Sequence, residues 1–189
     1  MKILFTFLIL SIGWPTKRIP IDANDINLTE IGQFGINRKA RPHVPTHLHT
    51  GIDIKRPYPD YDHAVIYPIA DGIVISKRED GPYAQLIIEH EDDGNIYWSL
   101  YEHIAGILVN LGDEVDTDME IARFFNRDEL DLHGWQFDHF HLEVLKESPI
   151  EIAPAQALPD RFYKAYTLTC FTFEELMNKY YDPLDFLAQ

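Results

Sequence analysis

Two β-rich runs, Ala84 to His90 (AQLIIEH) and Asn95 to His103 (NIYWSLYEH), are joined by Asp92-Asp93-Gly94-Asn95. An Asp-Gly centre between two such runs is a strong local signal for a tight hairpin, because Asp and Gly accept the positive φ that the turn demands. The same grammar extends on both sides. Ile52 to Ile54 starts an earlier strand, Gly72 to Lys77 (GIVISK) alternates, Asp80-Gly81-Pro82 and Gly112-Asp113-Glu114 read as turns, and Phe140 to Leu145 is a last strand. Arg41-Pro42-His43-Val44-Pro45 reads as an extended loop, since each proline disfavours helix before it. Helix signal appears only late, at Thr172 to Met177, where a threonine N-cap precedes periodic apolar positions. No internal repeat or low-complexity linker interrupts the chain. The expectation is an all-β domain with short loops.

With 189 residues, one domain can bury a sizeable core. A net charge of -15 argues against a nucleic-acid partner and against docking on anionic lipid through a basic patch. Cys170 is the single cysteine, so neither an internal disulfide framework nor a cysteine zinc knuckle can form. It reads as a buried apolar residue. Lys2 followed by the apolar run Ile3 to Ile12 is too short for an ordinary membrane span and reads as a secretory signal, residues 1–13, cut after about Gly13, with an uncleaved anchor or a buried first strand as the alternative. No cysteine follows it closely, which excludes a lipoprotein anchor. An exported protein is expected, in the periplasm, the cell envelope or the medium, without stable membrane insertion.

Any metal must therefore use histidine and carboxylate. Six of the nine histidines crowd into two stretches, His43 to His49 and His133 to His141. In Asp138-His139-Phe140-His141-Leu142-Glu143-Val144, residues two apart share a strand face. His139 and His141 then face one side, and Phe140, Leu142 and Val144 the other. In His47-Leu48-His49-Thr50-Gly51-Ile52-Asp53, Gly51 lets the chain turn sharply between His49 and Asp53. His49 and Asp53 from that junction and His141 from a distant strand would complete a His-Asp-His set. Catalytic zinc keeps three protein ligands at about 2.0–2.2 Å and an open fourth position, and lowers the pKa of bound water toward about 7. His47 shares a parity with His49 and stays open as the alternative ligand. His103 and His139 remain outside the set, free to take a proton from water, to hydrogen-bond the intermediate or to protonate the leaving amine.

The motifs HLHTGIDI and DHFHLEV, joined in order by ADGIVISK, YWSLYEHI and LGDEVDTDMEIA, resemble the lysostaphin-type, or LytM-domain, zinc endopeptidases. The resemblance covers roughly 34–144 and resumes at Tyr181 to Leu187. His49 and Asp53 match that family's His-x-x-x-Asp ligands, His141 the metal-binding second histidine of His-x-His, and His139 and His103 its two catalytic histidines. That spacing selects His49 over His47. Phe34-Gly35-Ile36-Asn37-Arg38 resembles the segment before the first ligand. The resemblance implies a compact, mostly antiparallel β-sandwich of the duplicated hybrid motif type, one zinc per chain in a groove, and peptide substrates in peptidoglycan cross-bridges or stem peptides. The expected organisation is a signal, 1–13; a lead-in, 14–33; the metallopeptidase domain, 34–144; an insertion with a short helix, 145–180; and a closing segment, 181–189.

Two departures stand out. Before His-x-His the family has a turn rich in Gly, Ser and Thr; here it is the bulkier Asp131-Leu132-His133-Gly134-Trp135-Gln136-Phe137-Asp138. The insertion is also not needed by the core. The other histidines, His43, His63, His90 and His133, read as surface or outer residues, Glu143 as structural, and Tyr97, Trp98 and Tyr101 as core and groove wall. The acidic runs read as solvated loops. Two further functions stay open: a non-catalytic LytM-like regulator of wall hydrolases, from which metal ligands are typically lost, and a secreted metallopeptidase acting on proteins or peptides.

Overall fold

The computed structural model describes residues 17–42, 44–151, 160, 163–164 and 170–189; the expected signal segment and His43 lie outside them. The strands, in chain order, are β1 (Asn37–Arg38), β2 (His47–Leu48), β3 (Ile52–Lys55), β4 (Val65–Ile66), β5 (Gly72–Arg78), β6 (Gln85–Asp92), β7 (Asn95–Glu102), β8 (Glu114–Val115), β9 (Ala122–Arg123), β10 (His139–Leu145), β11 (Ile150–Glu151), β12 (Tyr163–Lys164) and β13 (Tyr180–Tyr181). The helices are α1 (Arg127–His133), α2 (Phe173–Lys179) and α3 (Pro183–Leu187). A seven-stranded sheet in the order β13-β10-β7-β6-β5-β8, with β3 also on β10, dominates, and every pairing in it is antiparallel. Three two-stranded pairs, β1-β2, β4-β9 and β11-β12, complete the strands. The fold is all-β. Among the described residues, no helix is long and apolar enough to cross a membrane.

The β6-β7 hairpin turns at Asp93 (φ 49°) and Gly94 (φ 79°), between the paired Asp92 and Asn95. Two successive positive φ values make the tight turn whose twist matches its strands. Strand alternation then splits the sheet into two buried faces. Leu86, Ile88, Tyr97, Tyr101, Phe140, Leu142 and Val144 pack on one side with Ile66, Ala122 and Phe124 from the region of β4 and β9. Ile87, Trp98, Leu100 and Leu145 pack on the other with Leu48, Cys170, Leu176 and Tyr180. Strands covered on both faces are apolar on both parities, which is why β6 reads as a nearly continuous run. Tyr97, Trp98 and Tyr101 are thereby core, none more than 8% exposed. His90 is likewise core rather than a surface residue. Its ring stacks on Tyr97 and its nitrogens bond the Asp71 carbonyl and the Ser99 hydroxyl.

Helix α2 begins at its Thr172 cap, with Glu175 closing a capping box. Helix α1 was not expected. It runs into the bulky stretch before β10 as far as His133, and its cap has the same logic: Asn126 accepts from the Glu129 N–H while Glu129 reaches back. At seven residues, with one buried apolar side chain, Leu130, it is too short to show helical periodicity. The lead-in is not idle either. The Asn27 and Gly32 carbonyls accept from the Lys55 and Asp53 N–H groups, and the Thr29 N–H donates to the Asp53 carbonyl. These bonds cover the free edge of β3.

Candidate active site

Strand register sets two of the candidate residues side by side. Asp53 on β3 is the direct cross-strand partner of His141 on β10, and such partners project to the same face with their Cβ atoms about 5 Å apart. His49 arrives across the bend at Gly51. A Cβ at Gly51 would stand 2.1 Å from the Leu142 carbonyl oxygen and 2.9 Å from His141 Cε1, so only glycine lets the chain pass this close to β10. The outcome is three ligand atoms in one buried triangle. His49 Nε2 is 3.0 Å from His141 Nδ1 and 3.1 Å from Asp53 Oδ1, and His141 Nδ1 is 3.0 Å from Asp53 Oδ1.

Outer hydrogen bonds aim the rings. His49 Nδ1 lies 2.9 Å from the Gln33 carbonyl, which can only accept, so that nitrogen carries the proton and Nε2 offers its lone pair inward. His141 Nε2 lies 3.1 Å from Glu143 Oε1, which leaves Nδ1 facing the triangle. Glu143 is fully buried and also accepts from the Thr50 hydroxyl. Arg38 closes the assembly, donating to Asp53 Oδ2 and, at 2.8 Å, to His49 Nε2. Three ligands at about 2.0–2.2 Å from one tetrahedral ion stand about 3.3–3.6 Å apart. The observed triangle is slightly tighter, and its donor set of two imidazoles and one carboxylate with held outer atoms fits a metal.

The electrostatics of the triangle follow from the same contacts. Burial works to raise the Asp53 carboxyl, but the hydrogen bonds and charges of His141 and His49 outweigh it and hold it far below the usual carboxylate range. Burial pushes His49 down. Burial also works to lower His141, yet its bonds to Asp53 and Glu143 prevail and raise it.

His139 and His103 line the same groove. His139 Nε2 is 3.8 Å from Asp53 Oδ1, and the His103 and His139 rings stand 5.2 Å apart, edge to face. His103 Nδ1 donates to the Pro82 carbonyl at 2.5 Å, so Nε2 is its free acceptor. Burial, reinforced by the neighbouring His139, pushes His103 down to about 3. Burial is also the main cause that lowers His139. Both rings are therefore neutral at ordinary pH. His103 follows β7 with φ 62°, a left-handed conformation worth about 1–3 kcal/mol of strain for a residue with a side chain. That backbone turn swings its ring out of the strand's alternation.

The remaining histidines stand apart. His47 is buried with Nδ1 on the Pro45 carbonyl, outside the triangle. His63 is exposed and meets Asp60. His133 ends α1 beside Phe125. Among the described residues, His49, Asp53 and His141 are the one group whose ligand atoms could hold a metal ion. Arg38, the Gln33 and Pro82 carbonyls, and the rings of Tyr83 and Phe137 beside His103 join the site without having been expected from the sequence. Only Arg38 carried a signal, as the polar end of the segment before the first ligand.

Residues 47–152 match the pattern of Peptidase family M23, which is more than half of the chain. No curated protein sequence matches it. A zinc-containing peptidase from Vibrio cholerae is similar in structure, with 28% identity and a TM-score of 0.50 over 81% of this chain and 40% of that one. The chain thus spans well under half of that peptidase. A chain of the SpoIIIAH–SpoIIQ complex has a similar fold, at 17% identity and a TM-score of 0.53, over 90% of this chain and 99% of that one.

Proposed function

The chain belongs to peptidase family M23, and on that premise we propose that it is a zinc metalloendopeptidase. His49, Asp53 and His141 hold one zinc ion, and His103 and His139 assist. The observation that carries this reading is the buried triangle of ligand atoms, 3.0–3.1 Å on each edge, with His49 Nε2 and His141 Nδ1 both turned inward by outer hydrogen bonds. The similar Vibrio cholerae peptidase contains zinc, which supports the choice of metal. Zinc in such a site supplies Lewis acidity to a peptide carbonyl and makes water nucleophilic near neutral pH.

The protein's own groups divide the remaining work. Glu143 and the Gln33 carbonyl fix the two ligand tautomers, and Arg38 holds the second oxygen of Asp53. His103 Nε2, neutral and unblocked by its bond to Pro82, accepts a proton from the attacking water. His139 Nε2, on a neutral ring nearest to Asp53, donates a hydrogen bond to the reacting carbonyl, and the proton taken up by His103 passes on to the departing amine. Each such proton transfer contributes on the order of 10²–10⁴ in rate.

The proposed substrates are peptides of peptidoglycan, in cross-bridges or stems, and the proposed location is outside the cytoplasm, as the apolar run at Ile3 to Ile12 suggests. Digestion of purified sacculi followed by mass analysis of the released fragments tests this. Metal-dependent release of fragments with new amino termini is expected. Intact sacculi together with cleaved protein substrates would move the reading to a peptidase of ordinary proteins. No cleavage of either by the zinc-loaded protein would overturn the enzyme.

A further inference from the structure

Four residues before His139, an aromatic ring that the proposed chemistry does not use faces solvent. Trp135 is 49% exposed, and its own N–H is already spent on Asp131 Oδ1 at 2.8 Å. What it offers outward is therefore a ring face, not a donor. Its inner neighbour is Tyr61, edge to face at 5.8 Å. Tyr61 is itself taken: the guanidinium groups of Arg56 and Arg127 lie over its ring at 4.4 and 4.5 Å.

The polar groups around the indole form one line. Arg127 and Asp131 stand four apart on α1 and so share a face, and Trp135, four further on, joins them through its bond to Asp131. Arg127 and Asp131 do not pair. Among the described residues the Arg127 guanidinium only stacks on Tyr61, and Asp131 accepts only the indole N–H. A flat apolar face is thus flanked by a guanidinium with donors to give and by a carboxylate oxygen with lone pairs to fill. The support is fixed. Arg56, under Tyr61, also donates to Asp138 Oδ1 through Nε and Nη2 at 2.9 and 2.8 Å, and Asp138 adjoins His139. Four residues of chain keep the Trp135 Cα within about 14 Å of that of His139.

Physical limits narrow the occupant. A net charge of -15 repels polyanions, which removes nucleic acid and anionic lipid. The apolar area is small: an indole offers at most about 250 Å², against about 800 Å² per partner in a stable protein interface. A neutral sugar satisfies both limits. The C–H groups of a pyranose make an apolar face that stacks on an indole, and its rim is hydroxyl. An acetamido substituent adds a carbonyl that accepts from a guanidinium.

We propose that Trp135, Arg127 and Asp131 form a binding platform for a neutral strand of N-acetylated amino sugars. The indole stacks on a sugar ring, Arg127 donates to an acetamido carbonyl and Asp131 accepts from a hydroxyl. The platform rests on the peptidase reading above and deepens it, since it holds the glycan that carries the peptides of peptidoglycan.

Isothermal titration calorimetry of the full zinc-loaded chain tests this. The probes are chitohexaose, an oligomer of N-acetylglucosamine that has no peptide to cleave, and cellohexaose, which lacks the acetamido groups. Chitohexaose should bind about 10-fold more tightly than cellohexaose, the scale of a hydrogen bond from a charged donor. Trp135→Ala should weaken chitohexaose binding by about 10-fold or more. Trp135→Phe, which keeps a stacking face and guards against misfolding, should retain most of it. Arg127→Gln should erase the preference over cellohexaose. Leu132→Ala, at a neighbouring side chain that is 77% exposed, should leave binding unchanged. No binding of chitohexaose, equal binding of cellohexaose, or the same loss in Leu132→Ala as in Trp135→Ala would overturn the platform. So would a dimer in sedimentation that Trp135→Ala dissociates, since the face would then belong to a second copy. Chitohexaose binding by a chain that releases nothing from sacculi would uphold the platform and sink the peptidase. Cleavage of sacculi without chitohexaose binding would do the reverse.

Discussion

Glu143→Gln isolates the charge that orients His141. Glu143 Oε1 receives both the Thr50 hydroxyl and, at 3.1 Å, His141 Nε2. A glutamine oxygen can accept the same two bonds, so ring orientation survives and the negative charge is what disappears. A hydrogen bond to a charged group is worth about 1.5–3 kcal/mol and a neutral one about 0.5–1.5. The difference, about 1–1.5 kcal/mol, corresponds to a loss of about 10-fold in zinc affinity, the lower end of the 10–100-fold that outer partners of metal ligands usually carry. A second cost falls on the fold itself. Glu143 Oε2 is buried without a hydrogen-bond partner, and the glutamine NH₂ would take its place. Unmet donors there cost about 1–3 kcal/mol of stability with or without metal. Zinc competition against a chromophoric chelator, beside thermal melting of the metal-free protein, separates the two effects. Wild-type zinc affinity in Glu143→Gln, within twofold, would refute the role assigned to this carboxylate.

Three further outcomes follow from the geometry. Gly51→Ala drives a methyl into the Leu142 carbonyl and should lower stability by about 1–3 kcal/mol and abolish zinc retention; a stable, zinc-retaining variant would show that β3 and β10 can separate freely. His90, buried in the core, is held down to about 4 against 6.5 when unfolded. Between those values the unfolded chain binds more protons, so this contribution is intact above about pH 6.5 and is lost as pH falls toward 4. Between pH 7 and 5 it should remove about 2 kcal/mol, read from urea midpoints, and His90→Gln should flatten that slope; an unchanged slope would place the titration elsewhere. His103→Ala should keep its zinc and lose about 10²–10⁴ in turnover, and full activity in that variant would remove His103 from the chemistry.

The strands were legible because their signals are local. The Asp93-Gly94 turn fixes the β6-β7 hairpin, and the parity of His139 and His141 fixes which side of β10 they leave by. The cross-strand pairing of Asp53 with His141 was not legible, because register is settled by contacts 88 residues apart. The partners that tune the site were hidden for a related reason. Gln33 and Pro82 act through backbone carbonyls, which no side-chain identity announces. Helix α1 did carry a signal in Asn126 and Glu129, but its single buried leucine gave no periodicity to support it. His103 was legible as a histidine after an aromatic strand; the left-handed turn that aims it was not.

The central claim is that two histidines on one strand face, His139 and His141, do different work. Zinc content measured beside peptide hydrolysis for His141→Ala and His139→Ala tests it most directly. His141→Ala should lose zinc and activity together, because two ligands rarely retain the ion. His139→Ala should keep zinc and lose about 10²–10⁴ in turnover. A His139→Ala protein without zinc beside a zinc-bearing His141→Ala would exchange the two roles, and two variants with full zinc and full activity would contradict the site altogether.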